Sequence, residues 1–319
     1  MPDTSVVLAE VVRNGFVEGV HRGSLVVLDA DGSVLLSRGD AVSPVFPRSC
    51  NKLMQAAGMV ELGYPGRDRH LALAAASHWG QPHHVEGVRE ILAAAGLDEE
   101  ALRTPSDWPA DSAARDQLVR AGGHAAPILM NCSGKHAAML ATCVVQDWPL
   151  DDYRDVAHPL QEHLAATVER ISGEPAAAVG VDGCGAPVLS MSLTALARAY
   201  SACITADAGS PERLVADAMR AHPGFVGGHG HDVTAFMEGV PGLLVKDGAE
   251  GVYAAALPDG RAVAFKVDDG SGRPRPPLLA AVLRLLGVDA PVLDDLAEAV
   301  LLGGGATVGA VRVADGLLA

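Results

Sequence analysis

Lysine is nearly missing from this 319-residue chain. Of 24 cationic residues only four are lysine, at positions 52, 135, 246 and 266, and the rest are arginine. Positive charge is scarce altogether: 39 acidic residues leave a formal net charge of −15. That balance excludes a general nucleic-acid binder, which needs a basic surface to displace counterions. It also argues against electrostatic docking on an anionic membrane. No apolar run reaches the length of a bilayer span, because Arg, Asp or Gly interrupts each one. The opening residues, Met1-Pro2-Asp3-Thr4, show neither a basic n-region nor an apolar h-region, so the expectation is a cytoplasmic protein without a signal peptide. Cysteine is also sparse: Cys50, Cys132, Cys143, Cys184 and Cys203 are odd in number and contain no CxxC pair, which excludes a disulfide framework.

What is present suits a globular enzyme. Hydrophobic residues make up 49% and charged residues 20%, enough for a real core and too apolar for disorder. Residues 5–13, 23–29 and 33–38 alternate as strands, with Asp31-Gly32 as a hairpin signal between the last two. After Pro47, 49–62 reads as a helix with Leu53, Met54, Ala57 and Val60 inward and Gly63 as its stop. Alanine-rich helices follow over about 68–76, 84–95, 112–122, 134–146, 151–172, 192–205 and 211–221. Strands return at 243–246, 252–257 and 262–267, separated by Asp247-Gly248 and Asp259-Gly260. A helix over 275–287 and a loop at Gly303-Gly304-Gly305 complete the chain. Segregated strands and helices predict an α+β fold, with one antiparallel sheet built from both termini and a mainly helical lobe. The expectation is a single domain over 1–319: a sheet lobe of 1–48 and 240–319, a helical lobe of 49–239, and a cleft between them.

The lysines sharpen the chemistry. Arginine does not lose its proton in proteins, whereas a desolvated lysine does, so the neighbours of each surviving lysine matter. Ser49-Cys50-Asn51-Lys52 opens the first long helix and places Ser49 and Lys52 one turn apart on one face. A hydroxyl becomes a nucleophile when a base takes its proton, and a shielded lysine can be that base. S-x-x-K is common, and Ser49 alone would equally be an N-cap. A second lysine, Lys246, begins a strand-borne Lys246-Asp247-Gly248, and the ordered pair of S-x-x-K and K-x-G is the pattern of penicillin-recognising serine enzymes. The same K-D-G alone is an ordinary hairpin turn. Lys266 sits on a strand between apolar neighbours, pointing either to solvent or into the cleft, where Ser77 could meet it. Taken alone, Ser77 reads as a helix-terminal hydroxyl bonded to the preceding turn.

Two loops, Asn131-Cys132-Ser133-Gly134-Lys135-His136 and Asp182-Gly183-Cys184-Gly185, carry cysteines outside apolar helix faces. Two thiolates plus a nitrogen from Lys135 or His136 suit zinc, and two buried free thiols are the plainer alternative. The His222–Asp232 segment, with His229 and His231, lacks acidic or thiol partners beyond Asp232 and reads as a flexible loop at the cleft edge, not a metal site.

Together, Pro47–Lys52, Ala76-Ser77-His78, Asn131–His136, Val181–Gly185, Lys246–Tyr253 and Phe265–Gly270 resemble the inducible, rhizobial-type L-asparaginases, in order over nearly the whole chain. The resemblance implies a serine β-lactamase/glutaminase-like fold, a homodimer, and hydrolysis of L-asparagine to L-aspartate and ammonia. It implies Ser49–Lys52 and Ser77–Lys266 as two Ser–Lys tandems, and zinc on Cys132, Lys135 and Cys184. It implies Asp182 on the substrate's ammonium, Arg48 ordering the site, and Lys246 facing the substrate. Trp79-Gly80-Gln81 and Gly228-His229-Gly230-His231 depart from the family pattern, removing an expected acid and an arginine. The alternatives are the same fold acting on glutamine or a β-lactam, or a zinc-holding amino-acid binder without turnover.

Overall fold

The computed structural model describes residues 4–319; Met1–Asp3, part of the N-terminal segment read above, lie outside the described residues. The chain opens with strands β1 (Val6–Arg13), β2 (Phe16–Leu28) and β3 (Val34–Arg38). A 3₁₀ turn at Arg48–Asn51 runs directly into helix α1 (Lys52–Glu61). Helices α2 (Asp68–Ala74), α3 (Pro82–Ala94), α4 (Ser112–Arg120), α5 (Ser133–Val145) and α6 (Pro159–Ser172) follow. The short strands β4 (Val179–Val181) and β5 (Pro187–Leu189) precede α7 (Leu193–Thr205), α8 (Pro211–Ala221), α9 (Pro223–Val226) and α10 (Asp232–Gly239). The chain ends with β6 (Leu244–Asp247), β7 (Val252–Ala256), β8 (Ala262–Val267), α11 (Arg275–Leu285), α12 (Val292–Asp295), β9 (Ala299–Gly303) and β10 (Ala306–Val313). No helix among the described residues is long and apolar enough to cross a membrane.

Contacts divide the chain into two compact units. Among the described residues the first comprises 4–50, 191–205 and 235–319. Its antiparallel sheet runs β6-β7-β8-β2-β1-β10-β9, with β3 also on β2, so strands from both ends of the chain interleave. This is the α+β arrangement expected from the segregated strands. Strands β6 and β7 are almost wholly buried because α7 packs on β2, β7 and β8, which places residues 191–205 in the sheet unit. The expected strand at 23–29 is longer, starting at Phe16. Asn14 and Gly15, at φ 48° and 80°, form a two-residue turn of the kind that closes hairpins. Similarly, the expected loop around Gly303-Gly304-Gly305 is a hairpin between β9 and β10, with Gly304 and Gly305 at φ 58° and 85°.

The second unit comprises 51–190 and 206–234 and is mainly helical. Helix α1 is buried over Lys52–Met59 because α5, α6 and α8 surround it, so its burial is broader than the one-sided pattern expected. At Gly58 a Cβ would lie 2.8 Å from Leu164 Cδ2, which explains the close crossing of α1 and α6. Helix α6 begins at Pro159, not near 151, because Pro159 is a natural first helical residue and His158 Nδ1 accepts from Leu160 N–H. Strands β4 and β5 form a small hairpin carrying Asp182–Gly185 at its tip.

Candidate active site

In the first unit the residues around Ser49 are held by close backbone packing. Cys50 Sγ donates to Lys246 O at 3.3 Å, and Tyr200 Oη donates to Cys50 O at 2.9 Å. A Cβ on Gly248 would stand 2.6 Å from Pro47 O, so only glycine lets the Lys246-Asp247-Gly248 turn lie against the segment leading to Ser49. The structure therefore packs Pro47 and Cys50, which lie on either side of Ser49, against the K-x-G turn, with 196 positions between Cys50 and Lys246. Cys50 itself is no nucleophile: burial pushes its thiol up to about 12.

Lys246 is fully buried, and its amine is paired with the Asp247 carboxylate while donating to Asp247 O at 2.7 Å. Arg275 Nη1 lies 3.5 Å from the other Asp247 oxygen, and its guanidinium sits 5.4 Å from the Tyr253 ring centroid. Lys266 is half-buried on β8 and donates to Glu250 O at 2.7 Å and Val267 O at 3.2 Å. Burial lowers its pKa; Asp268, Glu250 and Asp269 oppose the shift and Arg48 adds to it. Arg48 Nη1 is 3.8 Å from Glu250 Oε1.

In the second unit Lys52 is completely buried. Its Nζ donates to Ala76 O and, at 3.0 Å, to Ser77 Oγ. Ser77 follows α2 in a loop instead of ending the helix, and its N–H donates to Val226 O at 3.0 Å. The amine that meets Ser77 here is Lys52, whereas the amine of Lys266 donates to the carbonyls named above. Next to Ser77, His78 is locked as a neutral ring: Nδ1 accepts from Gly80 N–H, and Nε2 donates to Ser133 Oγ, whose proton goes to Ile128 O. Burial drives its pKa well below the ordinary histidine value.

The residues that depart from the family pattern touch one another. Gln81 Oε1 accepts from His229 N–H at 2.9 Å and its Nε2 donates to His229 O at 3.1 Å. Trp79 and His231 have ring centroids 4.8 Å apart, and Trp79 N–H donates to Gly227 O. The expectation of a loose loop is corrected by these ties, which span some 150 positions and left no mark in the local sequence.

Cys132 caps α5, and Cys184 lies in the β4–β5 turn beside it. A hydrogen bond from Cys132 favours the thiolate of Cys184, with Lys135 assisting, and the Cys184 pKa falls; the same bond and burial hold Cys132 protonated. Lys135 Nζ lies 3.4 Å from Cys184 Sγ; burial disfavours its charge, but the fields of Cys184, Cys132 and Asp182 prevail and raise its pKa. His136 Nδ1 is within 2.7 Å of Tyr153 Oη, while its buried Nε2 faces Cys184 without hydrogen-bond geometry. Among the described residues no group of three or more His, Cys, Asp or Glu is placed to hold a metal. Two sulfurs and the Lys135 nitrogen do converge, so the donor set fits a thiophilic ion with Lys135 as its third donor once that amine loses its proton. Asp182 is half-buried at the same turn, where Gly185 at φ 86° closes the reversal.

A family model described as L-asparaginase II matches residues 9–313. No curated protein sequence matches the chain. Among solved structures, the chain is similar to a β-lactamase from Mycobacterium bovis, at 14% identity and TM-score 0.40, with 83% of this chain and 95% of that one covered. It is similar to a Bacillus glutaminase at 11% identity and TM-score 0.37, covering 83% and 91%. A third neighbour is EstCE1, a hydrolase with promiscuous acyltransferase activity, at 12% identity and TM-score 0.42, covering 86% and 93%.

Proposed function

The chain belongs to the L-asparaginase II family, and we propose that it hydrolyses L-asparagine to L-aspartate and ammonia through an acyl-enzyme on Ser49. The observation that supports this most is Lys52: an amine shut away from water, bonded to the neutral oxygens of Ala76 and Ser77, three residues beyond Ser49 in one helical run. Burial favours an uncharged amine, the form that accepts a proton.

In this reading Ser49 Oγ gives its proton to Lys52 and bonds to the side-chain carboxamide carbon of the substrate. The C–N bond then breaks, and the proton held by Lys52 leaves with the nitrogen as ammonia. Water attacks the resulting ester, Lys52 again takes a proton, and the Ser49 oxygen recovers it as aspartate departs. Ser77 holds the Lys52 amine in place and shares its proton. Lys266 is the second amine of the site. Arg48 and Asp182 bind the charged ends of the amino acid, Asp182 taking the ammonium. Lys246, neutralised by Asp247, serves the site by holding the turn packed against Pro47. Cys132, Lys135 and Cys184 would hold zinc, which would supply Lewis-acid orientation of the substrate.

The test is ammonia release from asparagine and glutamine, with nitrocefin turnover alongside. Asparagine should be the preferred substrate. Ser49→Ala should lose at least about 10³-fold in kcat while melting like the parent. Full activity in that variant, or turnover of nitrocefin alone, would overturn the assignment.

A further inference from the structure

Among the described residues, five other than glycine occupy left-handed backbone conformations: Asn14, Arg48, Asp68, Asp147 and Glu250. Asn and Asp visit that region routinely, because a short polar side chain can bond locally. Arginine and glutamate do not, so Arg48 at φ 51° and Glu250 at φ 59° are unexplained by their own chemistry. These two residues face each other, with Arg48 Nη1 3.8 Å from Glu250 Oε1. Arg48 is bonded directly to Ser49, and the carbonyl of Glu250 accepts from Lys266 Nζ at 2.7 Å.

The surroundings of Glu250 are shaped for it. A Cβ on Gly270 would lie 2.8 Å from Glu250 Oε2, so glycine leaves room for the carboxylate. A Cβ on Gly251 would lie 2.8 Å from Val267 Cβ, so glycine lets the turn settle on β8 beside Lys266. Val267 N–H donates to Gly251 O at 3.0 Å, fixing that approach. The side chain of Glu250 is 65% exposed, so its ion pair contributes little to stability. A glycine at 250 would adopt the same backbone without strain. The chain keeps a glutamate where only its side chain distinguishes it from the easier residue.

We propose that Glu250 is a positioning residue: its carboxylate orients Arg48, and through it the backbone of Ser49, while its carbonyl holds the amine of Lys266. The proposal rests on the reading of Ser49 as nucleophile. The charged groups facing Lys266 are Glu250, Asp268, Asp269 and Arg48. Removing the acid at 250 therefore favours the neutral amine, since one of the carboxylates that raise the Lys266 pKa is gone.

Two variants test this, Glu250→Gln and Glu250→Gly, the second relieving the backbone as it deletes the carboxylate. Both should lower kcat on asparagine about tenfold with KM nearly unchanged, and Glu250→Gly should melt no lower than the parent. Independently of turnover, acetylation of Lys266 by acetic anhydride, followed by mass spectrometry across pH, should have its midpoint shifted to lower pH in both. If the parent releases no ammonia, the acylation midpoint still decides the matter. Unchanged kcat and an unchanged midpoint in both variants would overturn the role of Glu250.

Discussion

The two units treat their buried nitrogen bases in opposite ways. In the sheet unit each is given a counter-ion: Lys246 has Asp247, and His21 places Nδ1 2.6 Å from Asp269 with Arg273 at its other nitrogen. In the helical unit Lys52 and His78 are bonded to carbonyls and hydroxyls, and His84 accepts from Gln81 N–H and donates to Gly224 O. Burial of similar depth thus yields two chemistries. A base held against a carboxylate is tied into structure by that ion pair or hydrogen bond, whereas burial among neutral dipoles disfavours the charged form of a base. The helical unit has exceptions: the thiolate of Cys184 stands beside Lys135, and His231 and His158 lie 2.5 Å from Asp232 and 3.8 Å from Asp152.

Breaking the contrast at its functional end should give the largest effect. Lys52→Met removes the amine but keeps the volume, and kcat for ammonia release should fall by about 10³-fold or more. Activity within tenfold of the parent would show that another group is the base. At the structural end, Lys246→Met takes the nearer of two cations from the largely buried Asp247 and leaves Arg275, and denaturant melts should show a loss of about 3 kcal/mol. Adding Asp247→Asn should recover much of that loss, which a simple packing defect would not permit. The smallest effect sharpens the comparison through pH. Burial holds His84 near a pKa of about 3, far below its unfolded value of about 6.5. The unfolded chain therefore takes up a proton that the fold refuses, and stability falls as pH drops from about 6.5 towards 3. His84→Asn should reduce the loss between pH 7 and pH 4 by up to about 3 kcal/mol, as read from melts at the two pH values.

The legible parts of the molecule were those set by local rules. Alternation located β1, β3 and β6–β8, and alanine-rich periodicity located α2–α5, α7 and α8 to within a turn. The packing of the segment around Ser49 against a distant K-x-G turn was legible because both halves are short, ordered motifs. What escaped was set by tertiary contact. Strand β9 looks like the approach to a glycine loop until its partner β10 is known, since Gly303–Gly305 outweighs the flanking apolar residues. Glu250 shows no sign of strain in sequence, because a left-handed φ leaves no mark when the residue is not glycine or asparagine. Trp79, Gln81, His229 and His231 stood out as departures, but only coordinates reveal that they contact each other. Arg275, Tyr200 and Tyr153 escaped because their partners lie 28, 150 and 17 residues away.

All five thiols are enclosed, two in the sheet unit (Cys50 and Cys203) and three in the helical unit (Cys132, Cys143 and Cys184). A maleimide dye added to the folded molecule thus meets sulfur only when one unit or the other opens. Mapping which cysteines acquire the dye first turns this accident of composition into a clock for each half of the molecule, and matching rates at Cys203 and Cys143 would mean that the halves come apart as one.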